Sequence, residues 1–199
     1  MLENFHVAES FKVILDPKCN ILVNFTNEEF RQIRRRMISC ILATDMTYHY
    51  KHLSELKGKL DTFEISKGKN IEKLIVADSS SKNNENQQLI LDNTIHLCDI
   101  SNPAKKANVY DKWVDLIFEE FFNQGDKERA VNIPISLLCD RGSTNITKAQ
   151  IGFINFIVKP YFECFINLVP EIQSYMDNIE GNLKRYELRD KESKYENNK

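Results

Sequence analysis

Charge of one sign is the first thing missing: 27 Lys and Arg stand against 29 Asp and Glu, a formal net charge of -2. The sequence pI is near 6.1. Without a basic excess there is no electrostatic footprint for nucleic acid. Long apolar runs are missing too. Nothing approaches the roughly 18 residues of a membrane helix, and no signal peptide is present, so a segment that neither contacts a membrane nor is secreted by itself is expected. Cysteine is sparse and scattered. Cys19, Cys40, Cys98, Cys139 and Cys164 are odd in number and form no C-x-x-C pair. That excludes a disulfide framework and a zinc knuckle, and it fits a reducing compartment. A Gly-rich phosphate loop, internal repeats and a compelling Ser-His-Asp or Cys-His arrangement are likewise absent.

What is present is helical patterning. Residues 3 to 15 place Phe5, Ala8, Phe11 and Leu15 near one face, and Asp16-Pro17 closes that helix. Thr26-Asn27-Glu28-Glu29 reads as a capping box, opening a helix to about residue 44 with Phe30, Ile33, Met37, Cys40, Ile41 and Thr44 inward. The cluster Arg31 to Arg36 is then its solvated face. A helix over about 47 to 60 carries His49 and His52, a poor metal site by themselves. From Asp61 to Gln87 the pattern dissolves, and the polar run around 78–87 reads as a loop insertion rather than a domain boundary. Further helices are expected over 107 to 123 with Gly125 as C-cap, over 148 to 168 with Thr147 as cap and a kink at Pro160, and over 171 to 187. Residues 1–188 form one domain portion, followed by a frayed charged tail, 189–199.

The chain is organised around Thr94 to Asp126. Asp99 ends an apolar run (Ile95, Leu97, Cys98), where a carboxylate is expensive to bury unless it is paired or bound to metal. Asn102-Pro103 breaks the helix, and Trp113, Ile117 and Phe121 follow at i, i+4 and i+8. Two readings fit these residues. One is a metal ligand at a helix end with an apolar slot beside it. The other is an Asp that caps a turn, next to an ordinary core stripe.

The run Asp99-Ile100-Ser101-Asn102-Pro103, with Trp113-Val114-Asp115, Glu119-Glu120-Phe121-Phe122, Gln124 and Asp126, resembles the class I 3′,5′-cyclic nucleotide phosphodiesterase catalytic domain. Three other segments agree in family order. Leu2-Glu3-Asn4-Phe5-His6 is similar to its L-E-N-x-H, Ile41 to Met46 to its L-A-T-D-M, and Ala149 to Ile154 to its Q-x-G-F. The resemblance implies an all-α, compact multi-helix fold of the HD type. The chain corresponds to the C-terminal portion and lacks the N-terminal helices that carry H-N-x-x-H-A and H-D-x-x-H-P-G. The family's general-acid histidine and most of its metal ligands are therefore expected upstream.

By the same resemblance, the complete enzyme hydrolyses cGMP or cAMP to the 5′-monophosphate through a hydroxide bridging Zn²⁺ and Mg²⁺ (or Mn²⁺). Asp99 is then the one direct metal ligand in this chain. Glu3, His6, Thr44 and Asp45 stand around the metal site and its waters. Met46, Asn102, Ile117, Phe121, Leu138, Gln150 and Phe153 form the substrate pocket, with Gln150 on the purine edge. Local matches such as Phe30 to Arg34 and Trp113 to Asp115 lean toward the high-affinity cGMP-specific branch, while Asn102-Pro103 also occurs in cAMP-specific members. The expected location is cytoplasmic, or the cytosolic face of a membrane if a missing region is anchored. The expected partner is the cyclic nucleotide, and a homodimer of the full protein stays open. The chain alone is expected to be inactive. The alternative is a truncated, non-catalytic module that binds a nucleotide or a partner.

Overall fold

The computed structural model describes residues 2–80 and 84–196. Among them no strand forms, and the sole extended pairing is an isolated bridge between Ser66 and Lys69, so the all-α expectation holds. Ser81, Lys82 and Asn83 of the expected loop insertion, and residues 197–199 of the expected tail, lie outside the described residues. The chain divides into two compact units. One runs up to Asp99 and takes in Asn167–Val169; the other comprises Ile100–Ile166 and the chain from Pro170 onward.

In the first unit, α1 (Leu2–Leu15) packs on α2 (Asn27–Leu42). In turn α2 packs on α5 (Glu85–Asp99), which also receives α3 (His49–Thr62) and the short α4 (Ile71–Val76). Leu53, Leu56, Leu60, Leu74 and Leu97 supply its apolar centre. The capping box is formed as the sequence predicts: Thr26 Oγ1 accepts from the Glu29 amide, and Glu29 Oε2 accepts from the Thr26 amide at 2.8 Å. The inward stripe of α2 is found on the expected face, though each of its residues is only half-buried. The α1 stripe is corrected. Phe11 and Ile14 are buried, whereas Phe5 and Leu15 are each 59% exposed. The segment 61–87, where the pattern dissolves, contains α4, and the loop expected around 78–87 is shortened by a 3-10 turn, Ala77–Ser80, and by the start of α5 at Glu85. In α4, Leu74 is fully buried, and Asn86 donates to the Leu74 carbonyl.

The second unit begins with a 3-10 turn, Asn102–Ala104, where Pro103 ends the preceding helix as expected. It continues through α6 (Ala107–Ala130), α7 (Ile146–Phe153), α8 (Lys159–Phe165) and α9 (Gln173–Glu196). α7, α8 and α6 all pack on α9. From α9, Asn182 Nδ2 donates to the Pro103 and Lys105 carbonyls at 2.9 Å each, fixing the entry into α6.

Several sequence expectations are corrected here. Gly125 is not a C-cap: α6 runs on to Ala130, and the glycine serves a close approach described below. The buried stripe of α6 is Tyr110, Val114, Phe118 and Phe122, while Trp113 is exposed and Ile117 and Phe121 flank the stripe half-buried. Asn145, not Thr147, caps α7, its Oδ1 accepting from the Lys148 amide at 2.9 Å. The interruption expected at Pro160 takes the form of a change in helix type just before it. A π-turn at Ile154–Val158 separates α7 from α8, with Pro160 in the first turn of α8, where its missing N–H costs least. The helix of α9 reaches Glu196, so the tail is helical to that point: Arg189 bonds Asp111 on α6 and Lys194 pairs with Asp190.

Candidate functional site: a buried amide and an exposed carboxylate

The second unit gathers most of the predicted pocket. Tyr110, Ile117 and Phe121 are separated by seven and eleven residues along α6, which places them on one line of a helix. The Tyr110 ring is 1% exposed, and its hydroxyl donates to Gln150 Oε1 from α7. Burial, with Tyr186 and Asp111 nearby, pushes the Tyr110 hydroxyl far above the ordinary phenol range, so it stays a proton donor. Gln150 is 7% exposed, which excludes the reading of a solvated helical glutamine. With its oxygen turned to Tyr110, the amide has its N–H₂ on the other side. Phe153 follows Gln150 by three residues on the same side of α7, and Asn102 is held in the 3-10 turn that α9 anchors.

Behind this face sits an ion-pair cluster. Asp111 binds Arg185 and Arg189, and accepts from the Tyr186 hydroxyl at 3.2 Å. Burial raises the Asp111 carboxyl, but the two arginines outweigh it and leave it below the ordinary carboxylate range. Tyr186 is pushed up to about 12, by burial first and by Asp111 next.

The residues predicted around the metals fall in the first unit, and there the geometry is different. Asp99 is exposed at the end of α5. Thr44 Oγ1 donates to the Ile41 carbonyl at 2.8 Å, and Asp45 Oδ1 accepts from the Thr47 amide at 2.8 Å as the cap of a 3-10 turn, Met46–Tyr48. That contact holds the Asp45 carboxyl below its usual range. The helix-capping reading of Asp45 is thus what the structure displays. His6 is exposed beside Phe5, Glu3 is half-buried and Met46 is exposed. Among the described residues no group of three or more His, Cys, Asp or Glu side chains is arranged to hold a metal ion. A structural zinc site takes four protein ligands and a catalytic one three, so the described side chains do not by themselves fit Zn²⁺.

One buried feature went unread in the sequence. His96 Nδ1 lies 2.8 Å from the Ala43 carbonyl, and its Nε2 lies 2.8 Å from His49 Nδ1. A carbonyl only accepts, so His96 carries its proton on Nδ1 and accepts from His49 through Nε2. Burial, with His96 and His52 beside it, lowers His49 to about 4, and burial likewise lowers His96. The pair ties α3 and α5 to the end of α2, next to Thr44 and Asp45. A histidine at i and another 47 residues on give no periodic sign, which is why the sequence did not show the pair. Tyr110 gave no sign of its own in the sequence either, because the hydrogen bond that gives it a role reaches 40 residues along the chain.

Comparison with known proteins covers nearly the whole chain. The 3′,5′-cyclic nucleotide phosphodiesterase family matches residues 1–179. A relative named probable 3′,5′-cyclic-AMP phosphodiesterase pde-4 from Caenorhabditis elegans is 39% identical over 190 residues, covering 95% of this chain and 27% of that protein. A 3′,5′-cyclic-AMP phosphodiesterase, isoform F, from Drosophila melanogaster is 37% identical over 188 residues, covering 94% and 27%. The crystal structure of the phosphodiesterase domain of the RhoPDE fusion protein from the choanoflagellate Salpingoeca rosetta superposes with a TM-score of 0.80 at 28% identity. It covers 98% of this chain and 58% of that one. The chain therefore spans about a quarter of the length of these two relatives (27%) and over half of the solved domain (58%). By the match over nearly its whole length, this chain belongs to the 3′,5′-cyclic nucleotide phosphodiesterase family.

Proposed function

We propose that this chain supplies the purine-recognition part of a 3′,5′-cyclic nucleotide phosphodiesterase whose substrate is cAMP. The observation that carries the reading is the buried hydrogen bond from Tyr110 to Gln150 Oε1. Adenine offers an acceptor (N1) beside a donor (N6–H), whereas guanine offers an acceptor (O6) beside a donor (N1–H) in exchanged positions. An amide free to rotate serves both edges. One locked from behind serves one edge better, because the mismatched base leaves a buried polar group unpaired. The half-buried Ile117 and Phe153 are proposed to hold the base from its two faces, with Asn102, Phe121 and Leu138 around it.

Asp99 is proposed as this chain's contribution to a metal site for Zn²⁺ and Mg²⁺ (or Mn²⁺), with Glu3, His6, Thr44 and Asp45 around its waters. The remaining ligands and the general acid are not supplied by the described residues, and the 199 residues alone are proposed to bind nucleotide without hydrolysing it. The choice of cAMP follows the two relatives named above and agrees with Asn102-Pro103. A preference for cGMP is the second reading, favoured by Phe30 to Arg34 and Trp113 to Asp115. A cytosolic setting and a homodimer of the full protein belong to the same proposal.

The test joins the upstream motifs of the nematode relative to this chain and assays both nucleotides. The chimera is expected to hydrolyse cAMP faster than cGMP, and the chain alone to hydrolyse neither. A folded chimera that turns over cGMP better would replace the first reading by the second. One that hydrolyses neither nucleotide would defeat both.

A further inference from the structure

The segment between α6 and α7 has an irregular backbone, yet it is fastened along the outer face of α6. Arg141 reaches Glu119 Oε2 at 3.3 Å, Asp126 Oδ2 at 3.1 Å and Asn123 Oδ1 at 3.4 Å. Its guanidinium lies 5.0 Å from the centroid of the Phe122 ring. These partners are spaced three, four and seven residues apart from Glu119, so one planar fork spans two turns of helix. Asp140 pairs with Arg129 at 2.8 Å and accepts from the Gly142 amide at 2.9 Å. Glu128 accepts from both the amide and the hydroxyl of Ser136, at 2.7 and 2.6 Å. Between these ties the backbone touches α6 directly: a Cβ built on Gly125 would stand 2.0 Å from the Cys139 carbonyl oxygen.

Inside the fastening sits Leu138 with φ of +66°, a left-handed conformation that a branched side chain avoids unless its surroundings impose it. Leu138 and Ala149, the residue before Gln150, both line a cavity of about 570 Å³. Leu138, the cavity and the helix that carries Gln150 thus belong to one unit.

We propose that Arg141 is a positioning residue for nucleotide recognition: by clamping the 136–144 turn to α6 it holds Leu138 in its left-handed conformation at the rim of the pocket. The proposal rests on the purine-recognition reading above. Arg141 touches no nucleotide itself; it acts through Leu138. Because the clamp is an exposed multi-carboxylate network, added salt weakens it, and nucleotide affinity falls with it.

Calorimetric titration of the purified chain with cAMP tests this, using wild type, R141A and R141K, with amide hydrogen exchange over 136–144. R141A is expected to weaken binding about fivefold, the scale of a lost surface network. Exchange should quicken in 136–144 and not in α9. R141K, which keeps the charge and loses the fork and the stacking, should fall between. Raising salt from about 50 to about 500 mM should weaken the wild type and leave R141A almost unchanged. Equal affinity of wild type and R141A would overturn the positioning role while the purine reading stood. A wild type that binds no cyclic nucleotide would defeat the purine reading, and the positioning role with it.

Discussion

The two units of this chain treat their polar groups differently. In the second, the groups assigned to ligand recognition are held from behind: Gln150 by Tyr110, the Asn102 turn by Asn182, and the Leu138 turn by Arg141, Arg129 and Glu128. In the first, Asp99 stands exposed, Asp45 spends its carboxylate on a helix cap, and the buried polar chemistry is a histidine pair with structural contacts. On the proposed reading, a base-recognition surface lies within the second unit, whereas among the described residues no side-chain group is arranged to hold a metal ion. Recognition of a flat base needs one oriented amide and apolar walls, which a single packed unit can provide. Binding a divalent ion needs several convergent ligands, and no single helix end provides them.

The strongest way to break the comparison is at Gly125. G125A puts a methyl group 2.0 Å from a backbone oxygen that cannot rotate away, so the 136–144 turn must lift. Overpacking of this kind costs on the order of 1–3 kcal/mol. A lower thermal midpoint and a loss of more than about tenfold in cAMP affinity are expected, the latter exceeding R141A because both ties fail together.

Next comes Y110F. It removes one buried donor and leaves the Gln150 oxygen unpaired, at a cost of about 1–2 kcal/mol. Freed to rotate, the amide should serve either purine, so the ratio of cAMP to cGMP affinity should move toward one. Competition binding with both nucleotides measures it.

Much of this contrast could be read from residues alone, and the exceptions share a cause. The capping box at Thr26, the break at Asn102-Pro103 and the all-helical pattern are local, because each depends on residues within one turn of each other. Gly125 was misread because a glycine near the end of an apolar stripe looks like a cap, while its actual reason is a carbonyl 14 residues further along. The face of α6 was misassigned because Trp113-Ile117-Phe121 and Tyr110-Val114-Phe118-Phe122 satisfy the same period, and only packing against α9 and its neighbours chooses between them. The tail from Arg189 looked solvated, yet Asp111, 78 residues earlier, holds it. For the candidate site, Asp99 and Gln150 were legible by family motif, whereas their supports, Tyr110 and Arg141, were not, since a support is defined by what it touches.

A smaller effect belongs to the first unit. His49 is lowered to about 4 against an ordinary value of 6.5, so the unfolded chain binds its proton first as pH falls. The stabilisation from the neutral His49–His96 pair is fully present above about pH 6.5 and is lost progressively toward about pH 4. Hydrogen exchange in α3 and α5 should quicken across that window, while exchange in α9 changes less. Equal acceleration in both units would remove this distinction.

The smallest effect is expected for D99N. Asp99 is exposed, so its exchange should shift stability by less than about 0.5 kcal/mol and leave cAMP affinity unchanged. A drop in nucleotide affinity would show that Asp99 already serves the pocket.

The central claim is that purine recognition is complete in this chain and metal binding is not. Calorimetric titration of the purified 199-residue chain with cAMP, with and without Zn²⁺ and Mg²⁺, tests it directly. The account predicts one weak nucleotide site of the same affinity in both conditions, abolished by Q150A, and no stoichiometric uptake of either ion. Tight one-to-one metal binding, or nucleotide binding that appears only with metal, would contradict it.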